Sequence, residues 1–192
     1  MLFRSLPYTS CDSYYYDEGT AAIVLLSGII YNRNELLDYL NLPDSNTTPE
    51  LIYRLFSALG PHFVDRLNGD FAIFIGQPKK NQAFLFRDHI GIKPVFWRSD
   101  NSQLIFSSEL NSICKIFSQG KIENIDYLMG YFKFIDYKNT TTKNVNRLLP
   151  GHWLEFTKNG TELKKYWHPE LVTEDRNLEY MQIGRASCRE RV

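Results

Sequence analysis

Three thiols, four imidazoles and the adjacent charges Arg87-Asp88 are the first groups to weigh in this 192-residue chain for chemistry beyond packing. Cys11, Cys114 and Cys188 have no metal-ligand spacing, and their odd number points to reduced thiols rather than a disulfide framework. Cys114 reads as a small buried hydrophobe. His62, His89, His152 and His168 stand singly, so none has the partner that a ligand set or a nucleophile–base pair needs. Arg87-Asp88 is placed where an apolar strand gives way to a corner, and Gly91, Lys93 and Pro94 follow it. Glycine tolerates positive φ there, and proline fixes φ and donates no hydrogen bond. Ser107-Ser108-Glu109 offers a further carboxylate after the next hairpin. Both groups are open to two readings: an internal ion pair that fixes local structure, or contact with a ligand or a neighbouring domain.

The elements that must position these groups are strands. Phe71 to Ile75 is an unbroken apolar run of strand length, suited to a strand covered on both faces. Gln77 to Asn81 is a reversing loop, and Ala83 to Phe86 returns to the Arg87-Asp88 corner. Val95-Phe96-Trp97 and Leu104-Ile105-Phe106 make another pair. Upstream, Tyr14-Tyr15-Tyr16 reads as an edge strand, and Ala21 to Leu26 as a buried strand ending at Ser27-Gly28. A helix follows with Leu36, Leu37 and Leu40 on one stripe and Asn32 or Asn34 as its cap. Thr48 is the expected cap of a second helix, with Pro49 at its first position and Leu51, Ile52, Leu55, Phe56 and Leu59 inward. Short helices are expected over 110–117 and, capped at Asn124, over 125–132. Trp153 to Phe156 and Glu162 to Trp167 flank Asn159-Gly160, a strong hairpin signal.

The words L-x-G-x-F-A-x-x-I from Leu67, R-D-x-x-G-x-K-P from Arg87 and S-S-E at 107–109 occur in that order. Together they resemble the N-terminal, class II glutamine amidotransferase domain of the asparagine synthetase (glutamine-hydrolysing) family, the N-terminal-nucleophile type. The resemblance runs from about Leu26 to Pro169, and Leu149-Pro150-Gly151-His152 with its two Trp-bearing strands is similar to that domain's closing hairpin. It implies an α+β fold, a four-layer αββα sandwich of two antiparallel sheets, truncated at its N-terminus. Residues 1–169 would be the amidotransferase-like domain and 170–182 a linker towards a synthetase domain. Residues 183–192, basic and free of aromatics, read as the translation of a sequencing adapter and are set aside from fold reasoning.

In that family an N-terminal Cys attacks the amide and its own α-amino group is the base. Here the chain begins Met1-Leu2 and Cys11 has its amine in a peptide, so no catalytic residue is expected. Where the family reads N-G-E-I-Y-N, this chain reads Ser27-Gly28-Ile29-Ile30-Tyr31-Asn32. The resemblance implies that Ser27 is a weaker substitute at the oxyanion hole, and that Ile29 cannot replace the Glu that holds the substrate ammonium. Thr48 stands where S-D-x-E has its Asp. Ser27, Gly28, Ile29 and Thr48 are therefore degraded equivalents of a glutamine pocket, and losing both acids removes several kcal/mol, roughly, of charge-assisted hydrogen bonding. Arg87, Asp88, Gly91, Lys93, Ser108 and Glu109 are motif or interface positions. Two explanations stand: a start that omits an upstream Cys, or a degenerate domain like those of β-lactam synthetases and lasso-peptide cyclases, which close rings without ammonia.

Composition bounds the rest. The chain is 43% hydrophobic, 15% aromatic and formally neutral, which gives no electrostatic footprint for nucleic acid or an anionic membrane. No apolar run approaches the roughly 20 residues of a membrane span, and no secretory leader is legible, so a cytoplasmic protein is expected. No metal site and no cofactor are expected within the chain, which has no Gly-rich phosphate loop. The resemblance implies ATP and Mg for a synthetase domain beyond the linker. Expected partners are that domain, glutamine or a peptide substrate, and a second copy in a homodimer.

Overall fold

The apolar run at 71–75 becomes the centre of the molecule because both of its faces are covered. In the computed structural model, which describes residues 13–100, 103–116, 123–130 and 138–169, it lies within strand β3, Gly69–Gln77. Strands β1 (Tyr14–Asp17), β2 (Ala22–Ile30), β4 (Gln82–Arg87), β8 (His152–Thr157) and β9 (Gly160–Lys165) join it in one antiparallel sheet, ordered β1-β2-β3-β4-β8-β9. A second antiparallel sheet, ordered β6-β5-β7, contains β5 (Phe96–Ser99), β6 (Leu104–Ser107) and β7 (Asn146–Arg147).

Strand alternation divides the interior in two. Phe71, Ile73 and Ile75 share one core with Val24, Leu26, Phe84, Phe86 and Trp153, covered by Leu51, Ile52, Leu55 and Phe56 of helix α2, Thr48–Leu59. Helix α1, Arg33–Leu40, adds Leu36 and Leu37 to it. Ala72 and Phe74 face the other way, with Leu85 and Leu154, against Val95, Trp97 and Leu148 of the second sheet's side. There Phe74 stacks on Phe106 of β6, ring centroids 4.6 Å apart. Helix α3, Leu110–Ile116, packs against β5 and β6 and buries Ile113. The layers thus run helices, sheet, sheet, helix, as expected.

Several local expectations shift. Strand β2 does not stop at Ser27-Gly28 but stays paired through Ile30↔Gly69. Asn32 precedes α1 without capping it; its amide instead donates to the Arg66 carbonyl (2.9 Å) and accepts from the Asn68 amide (2.9 Å). The cap of α2 is Thr47, whose hydroxyl accepts the Glu50 amide at 3.3 Å, and Thr48 is the first helical residue. Thr47→Ala is expected to cost about 1 kcal/mol in urea unfolding, and Thr48→Ala much less. The hairpin turn between β8 and β9 is Lys158-Asn159, since Thr157 pairs with Gly160 at the head of β9. Gly160 takes the positive φ of 117° instead of sitting in the turn. Cys114 is only half-buried, its Sγ 3.4 Å from Thr142 Oγ1.

Helix α4, Ile125–Gly130, is capped by Asn124 as expected, whose Oδ1 accepts the Tyr127 amide at 3.2 Å; residues 131–132 of that expectation lie outside the described residues. So do Cys11, Cys188, the loose N-terminal stretch, the linker and the segment 183–192. No helix of the described residues is long and apolar enough to cross a membrane.

Candidate functional site

The S-G-I-I-Y-N segment begins on the sheet's second strand, which ends at Ile30, and two glycines there let backbones meet. Gly28 has φ 128°, and a Cβ built on it would lie 1.9 Å from the Asp70 carbonyl oxygen. Across the ladder, a Cβ on Gly69 would lie 2.2 Å from the Ile29 carbonyl oxygen. The ladder pairs Ser27↔Ala72, Gly28↔Phe71, Ile29↔Asp70 and Ile30↔Gly69. Because Leu26, Ile30 and Phe71 belong to the helix-side core, Ser27, Ile29, Asp70 and Ala72 occupy the opposite face, at the end of the intersheet layer. Ser27 is half-buried there, and Ile29 is 63% exposed.

Asp70 fills the second x of L-x-G-x-F-A, a position to which the motif assigns no role, and it is a half-buried acid at this end of the sheet. The Tyr31 hydroxyl donates to its Oδ2 at 2.6 Å. That bond, then burial, then the negative charges of Asp70 and Asp88 hold the Tyr31 phenol above its ordinary range. The strand register is the signal that would have found Asp70, since it places the residue directly opposite Ile29. Thr48 belongs to the helical layer over the other face. No hydrogen bond among the described residues joins it to Ser27, Gly28 or Ile29.

The Arg87-Asp88 corner is built from backbone hydrogen bonds rather than from an ion pair between the two residues. Arg87, 7% exposed, donates from Nε to the Lys93 carbonyl (2.8 Å), from Nη1 to Leu148 (2.5 Å) and from Nη2 to Gly91 (2.6 Å). Asp88, fully buried, accepts the amides of Gly91 (2.5 Å), Ile92 (2.9 Å) and Lys93 (3.0 Å). Desolvation pulls the guanidinium of Arg87 below its ordinary value, while the charge of Asp88 acts the other way. Gly91, at φ 77°, is strained for any larger residue, and a Cβ there would lie 2.7 Å from Pro150 Cγ and 2.9 Å from Arg87 Nη2, so it would push on the Arg87 lattice. Lys93 contributes its amide and carbonyl to this lattice.

The corner is also tied to its neighbours. The Asp88 amide donates to Phe71 (3.0 Å), and the Gly151 amide to Asp88 (2.9 Å). The Tyr166 hydroxyl donates to the Arg87 carbonyl at 2.6 Å, and burial pushes that phenol well above its ordinary range. What the corner turns outward is apolar: Ile90 is 67% and Ile92 53% exposed.

Ser108 and Glu109 sit elsewhere, before α3. Ser108 is half-buried and Glu109 exposed. The Glu109 amide donates to Ser107 Oγ (3.0 Å), and its Oε2 accepts from Ser112 Oγ (3.3 Å), so this carboxylate serves the start of its own helix. Among the described residues no group of three His, Cys, Asp or Glu could hold a metal ion. The arrangement can therefore offer an amide or an amine a strand-end backbone, a hydroxyl and a carboxylate.

A family model described as a glutamine amidotransferase domain matches residues 13–167. A protein of Methanocaldococcus jannaschii, provisionally named an asparagine synthetase (glutamine-hydrolysing) 2, is 36% identical over 154 residues, covering 78% of this chain and 30% of its own length. The asparagine synthetase (glutamine-hydrolysing) 2 of Bacillus subtilis is 34% identical over 164 residues, covering 80% and 22%. The chain thus spans less than a third of these relatives. Among solved structures, the glutamine phosphoribosylpyrophosphate amidotransferase of B. subtilis, complexed with ADP and GMP, superposes with a TM-score of 0.53 at 12% identity. It covers 82% of this chain and 32% of that one, a likeness of fold.

Proposed function

The chain belongs to the glutamine amidotransferase domain family, and on that premise we propose that it is the glutamine-facing, N-terminal part of an ATP-dependent, amide-forming enzyme of the asparagine synthetase type. The observation that carries this reading is the Gly28–Gly69 apposition. It brings Ser27, Ile29 and Asp70 to one open end of the sheet, in the segment that resembles the family's amide-binding strand. Such a parent would draw ammonia from glutamine and pass it to an activated carboxylate. Among the described residues no group of three His, Cys, Asp or Glu could hold a metal ion and no Gly-rich loop opens a helix, so this reading places ATP and Mg elsewhere. Both groups belong, on this reading, to a synthetase domain that is the chain's covalent partner, in a cytoplasmic enzyme.

A second reading has its own support. Ile29 is apolar and exposed where the resemblance implies a Glu, and Ile90 and Ile92 are displayed on a firmly held corner. Those features suit a docking face of an amidoligase that uses no glutamine. The test is a parent protein extended at both ends, assayed with ATP and Mg. Stoichiometric glutamate release with amide formation is the expected result. Amide formation that consumes no glutamine overturns the first reading in favour of the second.

A further inference from the structure

The pocket equivalents at Ile29 and Thr48 carry no acid, yet the site end of the sheet is not without one. Asp70 lies directly across the ladder from Ile29, on the same face. Directly opposed residues of an antiparallel pair have their Cβ atoms roughly 5 Å apart, so a carboxylate at 70 reaches the space a carboxylate at 29 would have served. Its environment is preset. The backbone is held by Gly28 and Gly69 in a contact that no side chain tolerates, and the Tyr31 hydroxyl fixes Oδ2 at 2.6 Å. That bond leaves Oδ1 to accept from a ligand. Among the described residues Asp70 has no cationic partner, whereas the other acid of this end, Asp88, has its charge spent on three backbone amides.

We propose that Asp70 is the specificity-determining residue that receives the α-ammonium group of an amino-acid substrate, the acid having moved across the β2–β3 ladder from position 29. This rests on the amidotransferase reading of the site. The ligand class is accordingly an L-amino acid with a side-chain amide, its ammonium at Asp70 and its amide towards Ser27 and Gly28. Tyr31 is the positioning residue that holds the carboxylate in place. Thr48, in the helical layer, has no part in ammonium binding.

The test is titration calorimetry of the chain with L-glutamine and with 4-carbamoylbutanoate, the same amide without its ammonium. Wild type is expected to bind glutamine at least tenfold more tightly than the des-amino analogue. Asp70→Asn, close to isosteric, is expected to remove that preference by weakening glutamine alone. Ile29→Glu in the Asp70→Asn background, which returns a carboxylate to the opposing strand, is expected to restore it. An Asp70→Asn chain that weakens both ligands equally, or neither, overturns the role of Asp70 while leaving the amidotransferase reading in place. Failure of wild type to bind glutamine overturns both.

Discussion

Alanine at position 28 is expected to be among the most destabilising single substitutions in the chain. Two effects act together. Gly28 has φ 128°, a conformation that costs an L-residue about 1–3 kcal/mol. The added Cβ would also lie 1.9 Å from the Asp70 carbonyl oxygen and 3.0 Å from the Phe71 Cα, both backbone atoms that no rotamer change can move. Relief requires β2 and β3 to part near the Ile30–Gly69 end of their ladder, next to Ser27 and Asp70. Gly28→Ala is therefore expected to lose more than about 3 kcal/mol in urea unfolding, beyond the usual range of point substitutions. Gly160 is the control, since it has a φ of 117° and nothing within 4 Å of the place a Cβ would take. Gly160→Ala should show the backbone strain alone. Equal losses at the two positions would show that β2 and β3 do not approach closely enough at Gly28 to exclude a methyl group.

Removing the carboxylate of Asp88 should have an effect of similar size by another route. Asp88→Ala leaves three amides, those of Gly91, Ile92 and Lys93, without their acceptor around a fully buried position. A buried donor deprived of its partner costs about 1–3 kcal/mol, and losses within one network do not add fully. About 3–5 kcal/mol is the expected sum. Asp88→Asn keeps one acceptor oxygen and should retain roughly half of that stability. Amide hydrogen exchange gives a local readout: Gly91, Ile92 and Lys93 should lose protection in both variants before the amides of β3 do. Unchanged protection at those three amides would mean that Asp88 does not hold the corner.

Periodicity and turn chemistry made most of the architecture legible. The run Phe71 to Ile75 was bound to be covered on both faces because it offered no polar side, and it is. The Tyr strand, the two amphipathic helices and the Trp-bearing hairpin followed from spacing in the same way. One kind of miss arises because local signals fix a boundary only to within a residue or so, and the other because long-range pairing decides the outcome. Thr47 and Thr48 are chemically identical caps, and only the backbone decides which one turns its hydroxyl to Glu50. Strand β7 is two residues long and exists because β5 offers it an edge, so no sequence period could reveal it. Asn32 looked like a cap by type, but it is used across 34 and 36 residues to fasten the approach to β3.

The site was harder to read, for a physical reason. Motif words named Ser27, Gly28 and Ile29 but could not say what stood opposite them. Asp70 acquires meaning only through its pairing with Ile29, a contact between strands separated by two α-helices and a 3-10 helix. Arg87 and Asp88 were legible as a charged pair at a corner, open to an internal ion pair or to contact with a ligand or a neighbouring domain. Their actual work, gathering three carbonyls and three amides, depends on how the loop from 89 to 94 folds back, which composition does not encode.

The junction between the corner and the closing hairpin also constrains when this domain can form. Gly151 and Tyr166 each contribute a hydrogen bond to residues 87 and 88, and β8 completes the flank of β4. During synthesis, a nascent chain that has emerged only as far as residue 130 has Phe84, Leu85 and Phe86 on an open strand edge with no neighbour on that side. The ribosome must deliver about 27 further residues, to the end of β8, at roughly 5–20 per second, before the edge closes. For those few seconds the segment is a template for pairing with another chain, so early termination between β4 and β8 should yield aggregates rather than a smaller folded domain.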